Sequence, residues 1–368
     1  MKHVSNKAML AVLLALCMTV TLLSGCNNAP AGQTETSPSS APAQQQENTP
    51  ASSSQTRVVV DSYGREVELP AEINSVVLTS SYPVYMSFMC AIGEQEKVIN
   101  GIPASFDPET YKFDAVFAPQ IVGAPTVMDS ASGDVSVEEV LALNPDVCLT
   151  STEEMVKTLE DKGITVIGIK LSDYDSFRDI FRIVGEVFNK QDVAQQYLAY
   201  LDETLQLVQD RIGAIPETER TRVLYFDKQR MLRPNTVSEW WIPAAGGISV
   251  TADQADLKQV EMDMEAIWKA NPDVIIEMLA GNVGEIYADP LWGDIKAVQD
   301  QRVFNTPVGC HLMGNWTSEQ PILILWAAKN FYPEQFADID LVQRFGDFYS
   351  TYYHVDLSEE QIKDIIDG

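Results

Sequence analysis

Histidine is the side chain that best suits direct coordination of a transition metal, and one histidine of this chain is well placed for it. His3 lies in an apolar N-terminal segment and His354 near the C-terminus, which leaves His311. It could be the axial ligand of a haem iron or of a corrinoid cobalt, and Met313 could serve haem in the same way. The alternative is a hydrogen-bonded histidine near the surface. A bare zinc or manganese ion would need several such ligands, so that kind of site is not indicated.

Tryptophans near His311 and in a second segment suit a flat or bulky amphipathic ligand. Trp316 follows the predicted strand at residues 302–304, and the pair Trp240-Trp241 precedes two glycines. Ligands of open parallel sheets bind outside the carboxyl ends of the strands. We therefore predict that Trp316 contacts the ligand and that Trp240 lies nearby, whereas Trp241 could instead be a core residue.

A basic segment follows another predicted strand, at residues 222–226, in an otherwise acidic chain. It contains Lys228, Arg230 and Arg233. Arginine binds carboxylates bidentately and could neutralise an anionic ligand. We predict Arg230 and Arg233 as ligand contacts, although each arginine taken singly is equally well explained as a solvated loop charge.

Hydroxyl groups and backbone amides follow the first predicted strand, at residues 76–79. Ser80 or Ser81 could cap the helix predicted at residues 83–92, whose free amides would then face the ligand. Tyr82 is a candidate ligand contact for this reason. Tyr85 is a weaker candidate, since packing explains it better.

Catalysis is not indicated by any familiar motif. The chain contains no nucleotide-binding glycine pattern, no phosphate-binding loop, no His-Glu-x-x-His and no Gly-x-Ser-x-Gly. We therefore predict no catalytic residues and no catalytic cofactor. The formal net charge of −28 argues against binding to nucleic acid or to an anionic bilayer surface.

Two similar segments, at residues 135–149 and 262–276, must help to position these side chains. Each consists of a short amphipathic helix, then Asn-Pro-Asp, then an apolar run. Proline disfavours helical backbone in the residue before it, so each helix ends at the asparagine. The apolar run suits a strand covered on both faces, as in a parallel sheet. One internal copy at this distance predicts two related α/β lobes.

A longer helix is predicted between the two halves. Apolar side chains recur every three or four residues from Val193 to Ile212. A helix from Asp192 to Ile212 would span roughly 30 Å, about the height of one lobe. We predict that it joins the lobes as a rigid strut.

The N-terminus has the features of a bacterial lipoprotein signal. Lys2 and Lys7 precede an apolar run that ends in Leu23-Ser24-Gly25-Cys26. We predict that Cys26 is acylated and becomes the mature N-terminus, on the outer face of the cytoplasmic membrane. The following stretch, to residue 56, is rich in Pro, Ser and Gln and reads as a spacer. Cys90, Cys148 and Cys310 remain, and their wide spacing does not suggest a disulfide framework.

The whole chain after this spacer resembles the substrate-binding proteins of ABC importers for iron–siderophore complexes, haem and cobalamin. The resemblance rests on the opening hairpin at residues 57–70, both Asn-Pro-Asp segments, Ala245-Gly246-Gly247 and the helix with Leu325-Trp326-Ala327-Ala328-Lys329. It implies an α/β fold of two lobes joined by one long helix, with the ligand in the cleft between them. It also implies an ABC permease and its ATPase subunits as partners of a monomeric, non-catalytic protein. The bound ligand would be an iron chelate, with a corrinoid as the alternative; a lipid-anchored extracellular α/β enzyme is a more distant one.

In the resembled family, a glutamate in each lobe docks to the permease. Glu138 and Glu265 occupy equivalent places in the two similar segments, with Glu139 as an alternative to Glu138. We expect the signal at residues 1–25, the spacer at 26–56, the lobes at 57–190 and 214–368, and the connecting helix at 191–213.

Overall fold

The computed structural model describes residues 56–79, 81–128, 134–279 and 281–368. The predicted signal, Cys26, nearly all of the predicted spacer and Ser80 lie outside these ranges. Within them, no helix combines the length and the hydropathy that crossing a membrane requires.

The first lobe begins with an antiparallel hairpin and contains a parallel sheet of three strands in the order β3-β4-β5. All residues of these three strands are buried, which explains why nearly all of them are apolar. The strands are β1 (Thr56–Val60), β2 (Glu66–Pro70), β3 (Val76–Leu78), β4 (Val147–Thr150) and β5 (Val166–Gly168). The helices are α1 (Tyr82–Ala91), α2 (Asp114–Phe117), α3 (Val137–Leu143), α4 (Glu153–Glu160) and α5 (Tyr174–Phe188).

The predicted connecting helix is α6 (Gln191–Ile212), which has 22 residues and spans roughly 33 Å. Tyr197, Leu201 and Val208 are buried on one face of it, as the periodicity predicts. The ring of Tyr197 stacks on that of Phe181 with centroids 3.9 Å apart. The helix is therefore held along its length by packing and not only at its ends.

The second lobe is built around a parallel sheet of four strands in the order β11-β10-β6-β8, with a separate antiparallel pair, β7 and β9. Its strands are β6 (Arg222–Phe226), β7 (Leu232–Arg233), β8 (Ile248–Ser249), β9 (Val260–Glu261), β10 (Val274–Glu277) and β11 (Val303–Asn305). Its helices are α7 (Ser238–Ala244), α8 (Met264–Ala270), α9 (Asn282–Ala288), α10 (Lys296–Gln299), α11 (Gln320–Phe331), α12 (Leu341–Phe348) and α13 (Glu359–Asp367).

The two similar segments have the same local structure in both lobes. Helix α3 is capped by the side chain of Ser136 and α8 by that of Asp263. Both helices end at an asparagine with left-handed backbone, Asn144 at φ 47° and Asn271 at φ 39°. A buried strand follows each, β4 and β10. The predicted helix–Asn-Pro-Asp–strand repeat is confirmed.

The lobes share a continuous apolar core and specific hydrogen bonds. The amide of Ser318 in the second lobe donates to the hydroxyl of Ser87 in α1 at 2.9 Å, and the Ser318 hydroxyl donates to the Ser87 carbonyl at 2.6 Å. The ring of Phe117 stacks on that of Tyr349 with centroids 5.0 Å apart. These contacts fix how the two lobes face each other beside the candidate site.

Candidate functional site

A cavity of about 900 Å³ lies where the carboxyl ends of the first-lobe strands face the second lobe. This is where an open parallel sheet places its ligand. Residues after β3, β4 and β5 form most of the first-lobe wall, and the hairpin turn between β1 and β2 adds to it. The lining residues are Ser62, Tyr63, Ser81, Pro83, Val84, Tyr85, Phe106, Ser151, Glu153, Lys170, Leu171, Ser172, Val237, His311, Asn315 and Trp316.

The cavity wall is rich in hydroxyl groups and carries little charge. Four serines line it, whereas Glu153 and Lys170 are its charged residues. Two tyrosines are oriented by their own hydrogen bonds: the Tyr63 hydroxyl donates to the Ser151 carbonyl at 2.7 Å and the Tyr85 hydroxyl to the Ile169 carbonyl at 2.9 Å. The wall is thus polar and held in place, but nearly neutral.

His311 enters the cavity from the second lobe beneath two aromatic rings. Its ring centroid lies 5.1 Å from that of Tyr111 and 6.1 Å from that of Phe106. Burial lowers the pKa of His311 to about 4, so the imidazole is neutral at physiological pH. Its Nδ1 atom is buried without a hydrogen-bond partner among the described residues, as is the hydroxyl oxygen of Ser62. Unpartnered polar atoms in a cavity wall suggest that a ligand satisfies them.

Stacked aromatic rings form the base behind Trp316. The indole of Trp240 lies 5.0 Å from that of Trp316 and stacks on the ring of Tyr174 at 4.7 Å. Trp316 lines the cavity, whereas Trp240 is not among the lining residues and packs against Trp316. Trp241 is fully buried in the core of the second lobe.

Tyr82 does not reach the cavity, contrary to its predicted position. It is fully buried in the first lobe, and its hydroxyl donates to the carbonyl of Asn100 at 2.7 Å. That acceptor comes from a distant segment, which draws the side chain into the core. Tyr85, the weaker candidate, lines the cavity instead.

The two predicted arginines also lie elsewhere. The amide of Asp227 donates to the Leu232 carbonyl, which turns the chain after β6 back into β7 and away from the cavity. Arg230 is exposed on this turn and pairs with Asp227 at 2.6 Å. Arg233 is buried, pairs with Glu239 at 3.2 Å and donates to the carbonyls of Gln254 and Leu257. Arg233 thus holds a second-lobe loop and does not line the cavity.

Several lining residues escaped the sequence reasoning although the same rule points to them. Ser151 and Glu153 directly follow β4, and Lys170 and Ser172 follow β5. The ends of β4 and β5 are therefore the signal in the sequence that points to these four residues. Ser62 and Tyr63 have no such signal, since their hairpin is brought to the site by tertiary packing.

A buried acidic cluster lies behind the segment that carries His311. The Glu319 carboxylate accepts hydrogen bonds from the Cys310 amide at 3.0 Å and from the Tyr349 hydroxyl at 2.9 Å. Burial raises the pKa of Glu319 to about 7 and that of Asp114 well above its usual value. Among the described residues, no group of three or more histidines, cysteines or carboxylates is arranged to hold a metal ion.

Comparisons with known proteins agree with this architecture. Residues 83–308 match the sequence profile of a family described as periplasmic binding protein. The molybdate-binding protein MolA of Haemophilus influenzae is 24% identical over 325 residues, which cover 81% of this chain and 91% of MolA. The structure of MolA bound to molybdate has a TM-score of 0.71 at 23% identity, covering 82% of this chain and 99% of that one.

Two further relatives extend the comparison. YvrC of Bacillus subtilis, an uncharacterized ABC transporter substrate-binding lipoprotein, is 24% identical over 304 residues, which cover 79% of this chain and 87% of YvrC. A periplasmic solute binding protein from Veillonella parvula has a TM-score of 0.75 at 25% identity, covering 84% of this chain and 97% of that one. All share the two-lobed fold or a sequence related to it.

Proposed function

Because this chain belongs to the periplasmic binding protein family, we propose that it is the substrate-binding component of an ABC importer and that its ligand is an iron chelate, either a siderophore complex or haem. The protein captures the chelate outside the cytoplasmic membrane and delivers it to the permease and its ATPase subunits. An acyl group on Cys26 would hold the protein at the membrane. The relative YvrC is likewise described as a lipoprotein.

The observation that carries this proposal is the size and wall of the cavity. A volume of about 900 Å³ is near the upper end of the range for small-molecule sites, and a single small ion would leave most of it to solvent. The rings of Trp316 and Phe106 offer apolar contact to an organic chelator, and the serine hydroxyls offer hydrogen bonds to its oxygens.

His311 supports a haem or another complex with an open coordination position. Its imidazole is neutral, which is the form that binds metals, and its Nδ1 atom lacks a partner among the described residues. A corrinoid, whose cobalt also accepts an imidazole, remains the alternative within the same class.

A bare oxyanion such as molybdate is a second candidate, favoured by the relation to MolA and by the beginning of α1. Ser81 precedes this helix without capping it, and the first turn faces the cavity together with Lys170. Helix N-termini attract anions through their free amides and the helix dipole. The described lining residues include no arginine, so the positive charge for such an oxyanion would come from Lys170 and the amides at the start of α1.

The test is to identify the ligand carried by the protein purified from its own host. Native mass spectrometry gives the mass of the complex, and its visible spectrum distinguishes a haem Soret band, a corrin band and a siderophore charge-transfer band. We expect a coloured complex whose dissociation constant rises about tenfold or more in Trp316→Ala and His311→Ala.

Arg230→Ala is the matched control, because Arg230 is exposed and lies outside the cavity; its affinity should equal that of the wild type. If the protein is colourless and binds molybdate in calorimetry, its ligand is the oxyanion and not a chelate. Equal affinities of all three variants would place the ligand outside this cavity.

A further inference from the structure

An exposed apolar side chain follows each candidate docking glutamate by three residues. Leu141 follows Glu138 on α3 and is 43% exposed, and Trp268 follows Glu265 on α8 and is 47% exposed. Residues three apart lie on the same helix face. Each lobe therefore presents a carboxylate and a large apolar group side by side, at equivalent positions of the internal repeat.

The exposed side chains Leu141 and Trp268 are not needed to attach their helices to the lobes. Between each pair lies a fully buried residue, Val140 in α3 and Ile267 in α8, which attaches the helix to its lobe. An exposed tryptophan in a short surface helix exposes a large apolar area to water, and aromatic residues are enriched in protein interfaces. In both lobes an exposed apolar side chain lies beside a carboxylate, Leu141 in α3 and Trp268 in α8, which suggests a use for the outward face.

Trp268 is held in position before any partner arrives. Its indole Nε1 donates to the Leu291 carbonyl at 2.8 Å, which fixes the ring against the turn Pro290–Trp292. The side chain of Leu291 is itself 54% exposed next to it. A pre-positioned aromatic ring loses little conformational freedom on binding, which favours affinity.

The charges around this face limit what can cover it. Glu261, Asp263 and Glu265 are exposed in β9 and at the start of α8, and Glu138 and Glu139 are exposed in α3. Lys269, next to Trp268, is also exposed, so the net charge of these groups is negative. Such a surface repels an anionic bilayer, and a second copy would bring like charges together. It suits a protein surface with basic residues and an apolar pocket.

We propose that Trp268 and Leu291, with Leu141 in the other lobe, form the apolar anchors of the surface that docks on the importer's permease. This inference rests on the proposed function. The glutamates supply orientation and a salt-dependent association rate, and the apolar anchors supply resistance to dissociation. The tryptophan makes the second lobe the stronger of the two contacts.

The experiment measures binding of the full-length protein, as purified from its own host, to the permease–ATPase complex in lipid nanodiscs. We expect Trp268→Ser to raise the dissociation constant about tenfold or more. The salt dependence of binding should stay unchanged in this variant, whereas Glu265→Gln should flatten it. Affinity for the ligand should be that of the wild type in both.

Leu257→Ser is the matched control, since Leu257 is a 51% exposed apolar residue of the second lobe outside α8. Leu291→Ser is a second test that keeps the Trp268 hydrogen bond, because the acceptor is a backbone carbonyl. The inference is overturned if Trp268→Ser and Leu291→Ser bind the permease as tightly as the wild type does. It is also overturned if the wild type forms a dimer that either substitution dissociates. If the wild type binds ligand but no importer responds to it, the proposed function fails instead.

Discussion

The cysteines show at the residue scale how burial controls reactivity. Cys90, Cys148 and Cys310 are all buried, and the sulfurs of Cys90 and Cys310 lie 4.0 Å apart across the two lobes. Burial raises the pKa of Cys148 to about 12 and that of Cys310 well above its usual value. Since the thiolate is the reactive form, these thiols should be inert in the folded protein.

We predict that the mature protein with Cys26→Ser does not react with a water-soluble disulfide reagent in its native state. All three thiols should react in denaturant without prior reduction, as measured by the absorbance of the released thiolate. One reactive thiol in denaturant, rising to three after reduction, would instead reveal a disulfide between Cys90 and Cys310.

The repeated helix–Asn-Pro-Asp–strand unit is the feature that matters most at the element scale. It sets the direction of β4 and β10, and so the edge of the sheet at which a ligand can bind. Each unit depends on an asparagine in the left-handed region, which asparagine tolerates better than alanine does. The Asn271 side chain has a second task, since its oxygen accepts from the Lys296 amide at 2.9 Å.

We predict that Asn144→Ala lowers the free energy of unfolding by about 1 kcal/mol, while Asn144→Gly leaves it nearly unchanged, because glycine adopts positive φ without strain. Asn271→Ala should cost more than Asn144→Ala, since it also loses the bond to Lys296. Urea unfolding measures all three. Equal loss in Asn144→Gly and Asn144→Ala would contradict the backbone explanation.

Buried carboxyl groups link the two lobes at the scale of the whole molecule. Asp114 comes from the first lobe and Glu319 from the second, and both lie close to Cys310. The pKa of Glu319 is raised to about 7 in the folded protein, above its ordinary value. The folded state therefore binds a proton more tightly than the unfolded state does, and stability from this group falls as pH rises from about 4.5 to 7. The raised pKa of Asp114 likewise makes the protein less stable as the pH rises.

We predict that Glu319→Gln removes part of this dependence. The amide oxygen can still accept from the Cys310 amide and the Tyr349 hydroxyl, while no charge forms above pH 7. The variant should be more stable than the wild type at pH 8, by an amount on the order of 3 kcal/mol, and similar to it at pH 4.5. Thermal unfolding across this pH range measures it. Parallel pH profiles for the two proteins would show that Glu319 is not the titrating group.

Local patterns in the chain were enough to predict the α/β class, the internal repeat and the helix α6. These properties depend on periodicity and on turn chemistry within a few residues, which the sequence carries directly. The rule that ligands lie at strand ends likewise led to His311 and Trp316, which line the cavity.

The directions of single side chains after those strand ends depend on partners far away in the chain. Arg233 points inward because it donates hydrogen bonds to the carbonyls of Gln254 and Leu257. Tyr82 points inward because its hydroxyl donates to the buried carbonyl of Asn100. A buried donor must find such an acceptor or lose the free energy of a hydrogen bond. The nearly neutral cavity wall, with Ser62 and Tyr63 brought in by the hairpin, follows from these long-range contacts and from the packing of one lobe against the other.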